Sequence, residues 1–492
     1  MGMDSRIFTN GKISKILLKF AIPAVISLLV LELYNMVDTL FVGIYIGPDA
    51  IGALTIAFPI QRLLIAVGML IAIGTSSLVS RNLGENNLKA LKNTILNAFL
   101  ITGLSLTTLS LLIYIFKNKI IYFLGASSTI FPYADNYISV ILIGGIFQCL
   151  TVVLCYIMTA LGNTKITLYA NSLGAIINIF INYLLVAILG FGVIGAAIAT
   201  VISQAIGFAF TLYKFKPIKK SFNLSFSLKS MKLSINKGIL ISIFIIGFSS
   251  FIIEISDAIV AVILNNLLAY NGGDEAIIII GIVTKVSMFM FITIIGISSA
   301  MQPIVAFSFG ASDKLKVREA LITSIKAVSL SSVALWLILM IFSKQIIGFF
   351  LKDLTLLNDT VLAFRICISL LPSVSIYYIC IYYYQAIGKA KLSFILSLYR
   401  QLIVFIPLAT ILTIKFGVMG ALISYPIADF ISCLTSIYFI LKALNLNPLK
   451  YTLNLMNLFN KYRINNITFS KIESSENKEL VSNKYIKDTA YT

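Results

Sequence analysis

Phe191-Gly-Val-Ile-Gly-Ala196 recurs 225 residues later as Phe416-Gly-Val-Met-Gly-Ala421. Two more stretches repeat in the same order. Ala160-Leu-Gly-Asn-Thr-Lys165 returns as Ala386-Ile-Gly-Lys-Ala-Lys391, and Gly74-Thr-Ser-Ser77 as Gly296-Ile-Ser-Ser299, at shifts of 226 and 222 residues. Chance can give one such match in an apolar chain. Three in order at a nearly constant shift mark a duplication.

The duplicated material is oily. Of 492 residues, 59% are hydrophobic and 12% charged, with mean hydropathy +0.99. Soluble domains carry about twice that share of charge. A soluble enzyme, a disordered regulator and a nucleic-acid-binding domain are therefore excluded. Twelve apolar runs are long enough to cross about 30 Å of hydrocarbon: 18–45, 50–79, 94–116, 134–160, 166–189, 192–213, 238–269, 276–308, 319–343, 361–387, 392–414 and 418–441. They do not alternate as barrel strands do. In lipid, runs of this kind satisfy their backbone only as helices. The first is read as a span rather than a cleaved leader, being too long and holding two carboxylates. The fold class is thus an all-α integral membrane protein of twelve transmembrane helices.

Each half holds six spans, so both enter the membrane from the same side. The two six-helix lobes are then related by a pseudo-twofold axis along the membrane normal, the arrangement of transporters that rock around a midplane site. The expected organisation is an N-terminal lobe 1–213, a basic linker 214–237, a C-terminal lobe 238–442 and a tail 443–492. With the N-terminus inside, 28 of the 38 Lys and Arg residues fall in inner segments and five in outer loops. That split places both termini in the cytoplasm of a cell-membrane protein. The linker, Lys interleaved with Phe, Leu and Met, is expected to lie on the inner leaflet. The tail is expected to start with a short interfacial helix.

No histidine is present, and the five cysteines lie in apolar runs without metal-ligand spacing. Cofactors are not expected, and proton handling falls to carboxylates. Apart from Asp135 and Glu319 at the ends of their runs, five acids lie within spans: Glu32, Asp38, Glu254, Asp257 and Asp429. Charges there are costly and usually mark function. Glu254 and Asp257 share a helix face, as do Tyr34, Asn35 and Asp38. Glu32 lies off that stripe but is the repeat partner of Glu254, which suggests one polar site per lobe. Burial disfavours a charged carboxylate and a nearby cation restores it. Such a site exchanges protons, sodium or an organic cation by competition. Asn178 and Asn182, one turn apart, and Thr200 add oxygen ligands that suit sodium. Met288 and Phe291 are candidates for an adaptable substrate cleft. Tyr377, Tyr378, Tyr382, Tyr383 and Tyr384 are read as an interfacial belt, with stacking on organic cations as the alternative.

Along nearly all of 10–442 the chain resembles the MATE (multidrug and toxic compound extrusion) family. The resemblance rests on Pro23, Tyr34-Asn-Met-Val-Asp38-Thr-Leu-Phe-Val-Gly43, Gly74 to Gly84, Asn178-Ile-Phe-Ile-Asn182, Gly195 to Gln204, and Gln302 to Ala311. It implies a V-shaped pair of lobes that exports cationic amphipathic drugs in exchange for Na+ or H+. It also implies an ion or proton site at Asp38, Asn178, Asn182 and Thr200, with Na+ as the metal it would take. Many members have Asp where this chain has Asn182. Glu254 matches a helix-seven acid of one branch, whose helix-ten acid has no counterpart here. The expected protein is a secondary active efflux transporter and not an enzyme. Asp38, Asn178, Asn182, Thr200 and Glu254 handle the coupling ion. Glu32, Tyr34, Asn35, Asp257, Met288 and Phe291 face the substrate. Its partners are small organic cations and the bilayer, it binds no nucleic acid, and it acts as a monomer. The alternative, a flippase for lipid-linked sugars or other amphipathic lipids, would want cationic cleft residues such as Lys285 and Arg62.

Overall fold

The computed structural model describes Phe8 and residues 11–124, 126, 128–224, 235–348 and 354–444. In the first half stand α1 (Ile13–Tyr45), α2 (Pro48–Gly84), α3 (Leu88–Phe123), α4 (Phe131–Ala160), α5 (Ile166–Asn182, prolonged by a π-helical segment Tyr183–Ile188) and α6 (Gly192–Ser221). In the second half Lys237–Gly310 is one run that breaks at Gly273 into α7 and α8. α9 (Lys314–Ile341) follows, and then a six-residue helix, Ser343–Gly348, that hydropathy did not separate. α10 is made of Leu354–Ile368 and Val374–Ala386, joined by a 3-10 turn at Leu371–Ser373. α11 starts at Ala390, passes through a π-helical segment at Tyr399–Phe405, and meets α12 at a break on Gly417; α12 ends at Ala443. Among the described residues eleven runs are long and apolar enough to span a membrane, the last of them, Ala390–Ala443, being α11 and α12 together. The twelve expected spans are therefore all present. Met1–Leu434 forms one compact unit that holds both halves, and a second unit starts at Thr435.

Helix ends differ from the apolar runs because hydropathy marks the part in hydrocarbon, while the helix continues as long as its backbone stays bonded. α3 begins at Leu88 and ends at Phe123, beyond the run 94–116 on both sides. α6 continues to Ser221, so the start of the expected linker is helical. Residues 225–234 of the linker and 445–492 of the tail lie outside the described residues.

The duplication reaches the backbone. Gly192 and Gly417, equivalent in the repeat, have φ of 59° and 60°. This left-handed region suits glycine and lets a chain reverse between two spans. Asn86 and Ser312, 226 residues apart and unlike in type, share φ of 54° and 59°. The next residues, Asn87 and Asp313, cap α3 and α9 in the same way. Each side chain accepts the N–H three residues on, from Ala90 and Lys316, at 3.0 Å. N-caps of this type satisfy a helix donor that would otherwise have no partner.

The halves meet backbone to backbone. A Cβ at Gly84 would overlap the Phe307 carbonyl oxygen, and one at Gly310 would overlap that of Arg81. Gly84 and Gly310 are repeat partners, as are Arg81 and Phe307, so this is one α2–α8 contact read from either half. Gly74 likewise abuts the Ile243 carbonyl, Gly247 that of Leu70, and Gly296 the backbone of Val25. Small residues let helices approach this closely where lipid supplies no hydrophobic drive. Polar ties surround the contact. Gln302 Nε2 donates to Ser77 Oγ at 2.8 Å, and Arg81 Nη2 to the Ala386 carbonyl at 3.1 Å. Gly84→Val or Gly310→Val forces these backbones apart. The expected destabilisation is about 1–3 kcal/mol or more, read as a lower unfolding temperature of the purified protein in detergent. An unchanged transition would show that the contact is loose.

Candidate functional site

On α1, Tyr34 and Asp38 are one turn apart and share a face. On α5 the same spacing stacks Asn178 and Asn182, and α6 supplies Thr200. The fold brings these faces together. Asn182 Nδ2 donates to Asp38 Oδ1 at 2.8 Å and to Asn178 Oδ1 at 2.9 Å. Asn178 Nδ2 in turn donates to Thr200 Oγ1 at 3.3 Å. All four side chains are buried, the asparagines fully and Asp38 at 7% exposure. The four residues singled out by resemblance thus form one hydrogen-bonded chain across three helices. The π-helical segment starts directly after Asn182, and such segments occur often at functional positions.

Two groups in the cluster are left over. Asn182 Oδ1 and the Tyr34 hydroxyl are buried without a well-formed hydrogen bond, and the Tyr34 ring end lies near Thr200 and Ser203. A buried polar atom without a partner is costly. Here the spare oxygens flank a carboxylate. Carboxylate, amide and hydroxyl oxygens are the donor set a hard monovalent cation takes, and the carboxylate alone can take a proton. The residues present therefore fit sodium or a proton as transported ion. The neutral Asn182 amide meets Asp38 by donating a hydrogen bond to its carboxylate.

Tyr34 also lines a cavity of about 190 Å³ between α1, α2, α4, α5, α6 and α8. Its wall mixes aliphatic and neutral polar side chains, among them Ser27, Gln148, Tyr156 and Ser203.

The remaining expected site residues lie in other groups. Glu254 on α7 pairs with Arg62 on α2 at 3.1 Å, bridging the halves. Its repeat partner Glu32 is half-buried and has no hydrogen-bonding or ionic partner among the described residues, so equivalent positions do not make equivalent contacts. Asp257 is exposed and accepts a hydrogen bond from Gln401 Nε2. Met288 and Phe291 on α8 are half-buried. The Phe291 ring meets Tyr378 edge-on at 6.1 Å and the Arg400 guanidinium at 5.5 Å. The Asn35 side chain lies outside the described residues.

One group escaped the sequence reading. Arg400 on α11 donates through Nε and Nη2 to Asp429 Oδ1 on α12, at 2.9 and 2.8 Å, and both side chains are buried. Asp429 Oδ2 has no partner. A lone Arg inside an apolar run was the available signal, and it applies equally to Arg62. The tyrosine belt is corrected. Tyr377, Tyr378, Tyr382, Tyr383 and Tyr384 are all buried in α10, none more than 6% exposed. They are core of the second half, and Tyr377 donates its hydroxyl to the Leu396 carbonyl.

The MatE family model matches residues 23–184 and 246–411, one block in each half. The chain belongs to the MatE family. It is 26% identical over 435 residues to the multidrug export protein MepA of Staphylococcus saprophyticus, covering 87% of this chain and 94% of that protein. The MepA of Staphylococcus aureus is 25% identical over 431 residues, with the same coverage. Two solved folds are similar at 22% identity, each covering 90% of this chain and 99% of the other. One is an outward-facing multidrug resistance MATE family transporter of the MOP superfamily, with a TM-score of 0.84. The other is a MOP superfamily transporter from Pyrococcus furiosus, with a TM-score of 0.83. The MatE fold of two six-helix lobes is thus shared at low identity, and this chain is a multi-pass membrane transporter of that family.

In this MatE chain the Arg400–Asp429 pair is predicted to behave as a closed unit. Arg400→Leu leaves a buried carboxylate uncompensated and is expected to destabilise by about 3–5 kcal/mol, while Arg400→Leu with Asp429→Leu recovers most of that loss. Thermal unfolding of both variants checks it. Equal damage in the single and double variants would mean that the pair does more than neutralise itself.

Proposed function

We propose that this protein is a multidrug efflux transporter that exchanges cationic amphipathic drugs for Na+ or H+ by alternating access, in a cell membrane with both termini cytoplasmic. The observation that carries the reading is the buried chain Asp38–Asn182–Asn178–Thr200 with its unpartnered Asn182 oxygen and neighbouring Tyr34 hydroxyl. Family membership and similarity to MepA multidrug export proteins support drugs as cargo. An ion shifts a conformational equilibrium only by binding one state better than another. Asp38 and its partners on α5 and α6 all lie in the first half, so the difference comes from α1 shifting against α5 and α6 within that half. Asp38 holds the coupling cation or proton, and Asn178, Asn182 and Thr200 complete its oxygen shell. Glu254, expected from the sequence to handle the coupling ion, and Asp257, the two acids of α7, bind charge in the second half and face the cargo. Each monomer carries both groups, so no second copy is required.

The test is efflux of a fluorescent organic cation from reconstituted vesicles under a sodium gradient and, separately, a proton gradient. One gradient is expected to drive efflux in the wild type. Asp38→Asn is expected to lower the driven rate on the order of tenfold or more, the scale of a typical coupling free energy. Undiminished gradient-driven efflux in Asp38→Asn would contradict the assignment of Asp38.

A further inference from the structure

The Arg62–Glu254 bridge differs from the Arg400–Asp429 pair. Arg400 and Asp429 are sealed, at 9% and 1% side-chain exposure, whereas Arg62 and Glu254 remain 28% and 22% exposed. Arg62 is held in two ways. Its guanidinium donates to Glu254 Oε2 at 3.1 Å, and its Cζ sits 5.0 Å from the centre of the Phe58 ring. A carboxylate on one side and an aromatic face on the other are what a protein uses to hold an organic cation. Close to Glu254 lies Tyr156, which also lines the cavity shared with Tyr34. The place is thus open, aromatic, anionic and next to a cavity, and it is filled by a side chain of this same protein. Arg62 comes from the first half and Glu254 from the second, 192 residues apart. Whatever displaces the guanidinium therefore also breaks a tie between the halves.

We propose that Arg62 is a tethered competitor for an organic-cation subsite formed by Glu254, and that cargo enters the subsite by displacing it. The inference rests on the export reading and adds a step to it. In the closed arrangement Arg62 neutralises Glu254 and binds the halves together. A cationic cargo with an aromatic or apolar body takes over the carboxylate, Arg62 is released, and the halves lose one of their links. Binding and release of the bridge become one event, which gives the cargo a differential affinity for the two states. The arrangement also excludes weak or anionic ligands, which cannot replace a guanidinium on a carboxylate.

The experiment uses the full-length protein in detergent with tetraphenylphosphonium as probe. Arg62→Gln removes the competitor and is expected to tighten probe binding on the order of tenfold. Arg62→Lys, which keeps the charge but loses the planar fork, falls between. Glu254→Gln weakens binding, and Arg62→Gln combined with Glu254→Gln binds no better than Glu254→Gln alone. The unmodified protein gives a second readout independent of how variants fold. Saturating probe should raise the labelling of Arg62 by phenylglyoxal, followed by mass spectrometry. Arg62→Gln binding no more tightly, or Arg62 labelling that does not rise, overturns the proposal. These results are separable from the export reading. Gradient-driven efflux with Arg62 indifferent to the probe sinks the competitor alone. Probe binding that responds to Arg62, without efflux under any gradient, sinks export and leaves the subsite.

Discussion

Hydrocarbon gives a buried polar group nothing to bond to, so each one must find its partner within the protein. That constraint makes every span a helix, and it also selects where the polar side chains go. Asp38 is met by Asn182, Asp257 by Gln401, Arg400 by Asp429 and Arg62 by Glu254. Among the buried atoms left without a partner in the described residues, Asn182 Oδ1 and the Tyr34 hydroxyl sit beside the Asp38 carboxylate. Spare oxygens gathered around a buried carboxylate suit a group that comes and goes.

Duplication supplied a symmetric scaffold, and the side chains then diverged. Turn geometry is kept across halves even where residue type is not, as at Asn86 and Ser312. The glycine contact of α2 with α8 lies on the pseudo-twofold and holds the halves at backbone distance. Part of the polar pattern keeps the symmetry, Asp257 with Gln401 repeating Asp38 with Asn182 and Ser249 with Ser393 repeating Ser27 with Asn171, and the rest diverges. The first half has one acid set among neutral amides and hydroxyls. The second has a sealed ion pair, an exposed Asp257 and buried tyrosines. Glu32 and Glu254, equivalent by repeat, end with different contacts. This division suits a machine in which one half reads a small ion and the other meets a larger cation.

Much of this was legible because it is local or periodic. The repeats gave the two six-helix halves, and turn spacing placed Tyr34 with Asp38 and Asn178 with Asn182. That these faces converge on Thr200 came from family resemblance, since no spacing links α1 to α5 or α6. The pairs that were missed are long-range. Arg400 and Asp429 lie 29 residues apart on separate helices, and Arg62 and Glu254 are 192 apart across the halves. A single arginine in an apolar run says that a partner exists but not which. The α10 tyrosines failed for another reason. Aromatic residues near a helix end have the same composition in a core as in an interfacial belt, and only packing tells the two apart.

The central claim is that Asp38 changes its bound cation during the cycle. Infrared difference spectroscopy of the carboxyl region tests it directly, comparing wild type with Asp38→Asn while pH or sodium is stepped in the purified protein. The account predicts a carboxyl band that responds to proton or sodium in the wild type and is missing in Asp38→Asn. A carboxyl spectrum in which both proteins respond identically would contradict it.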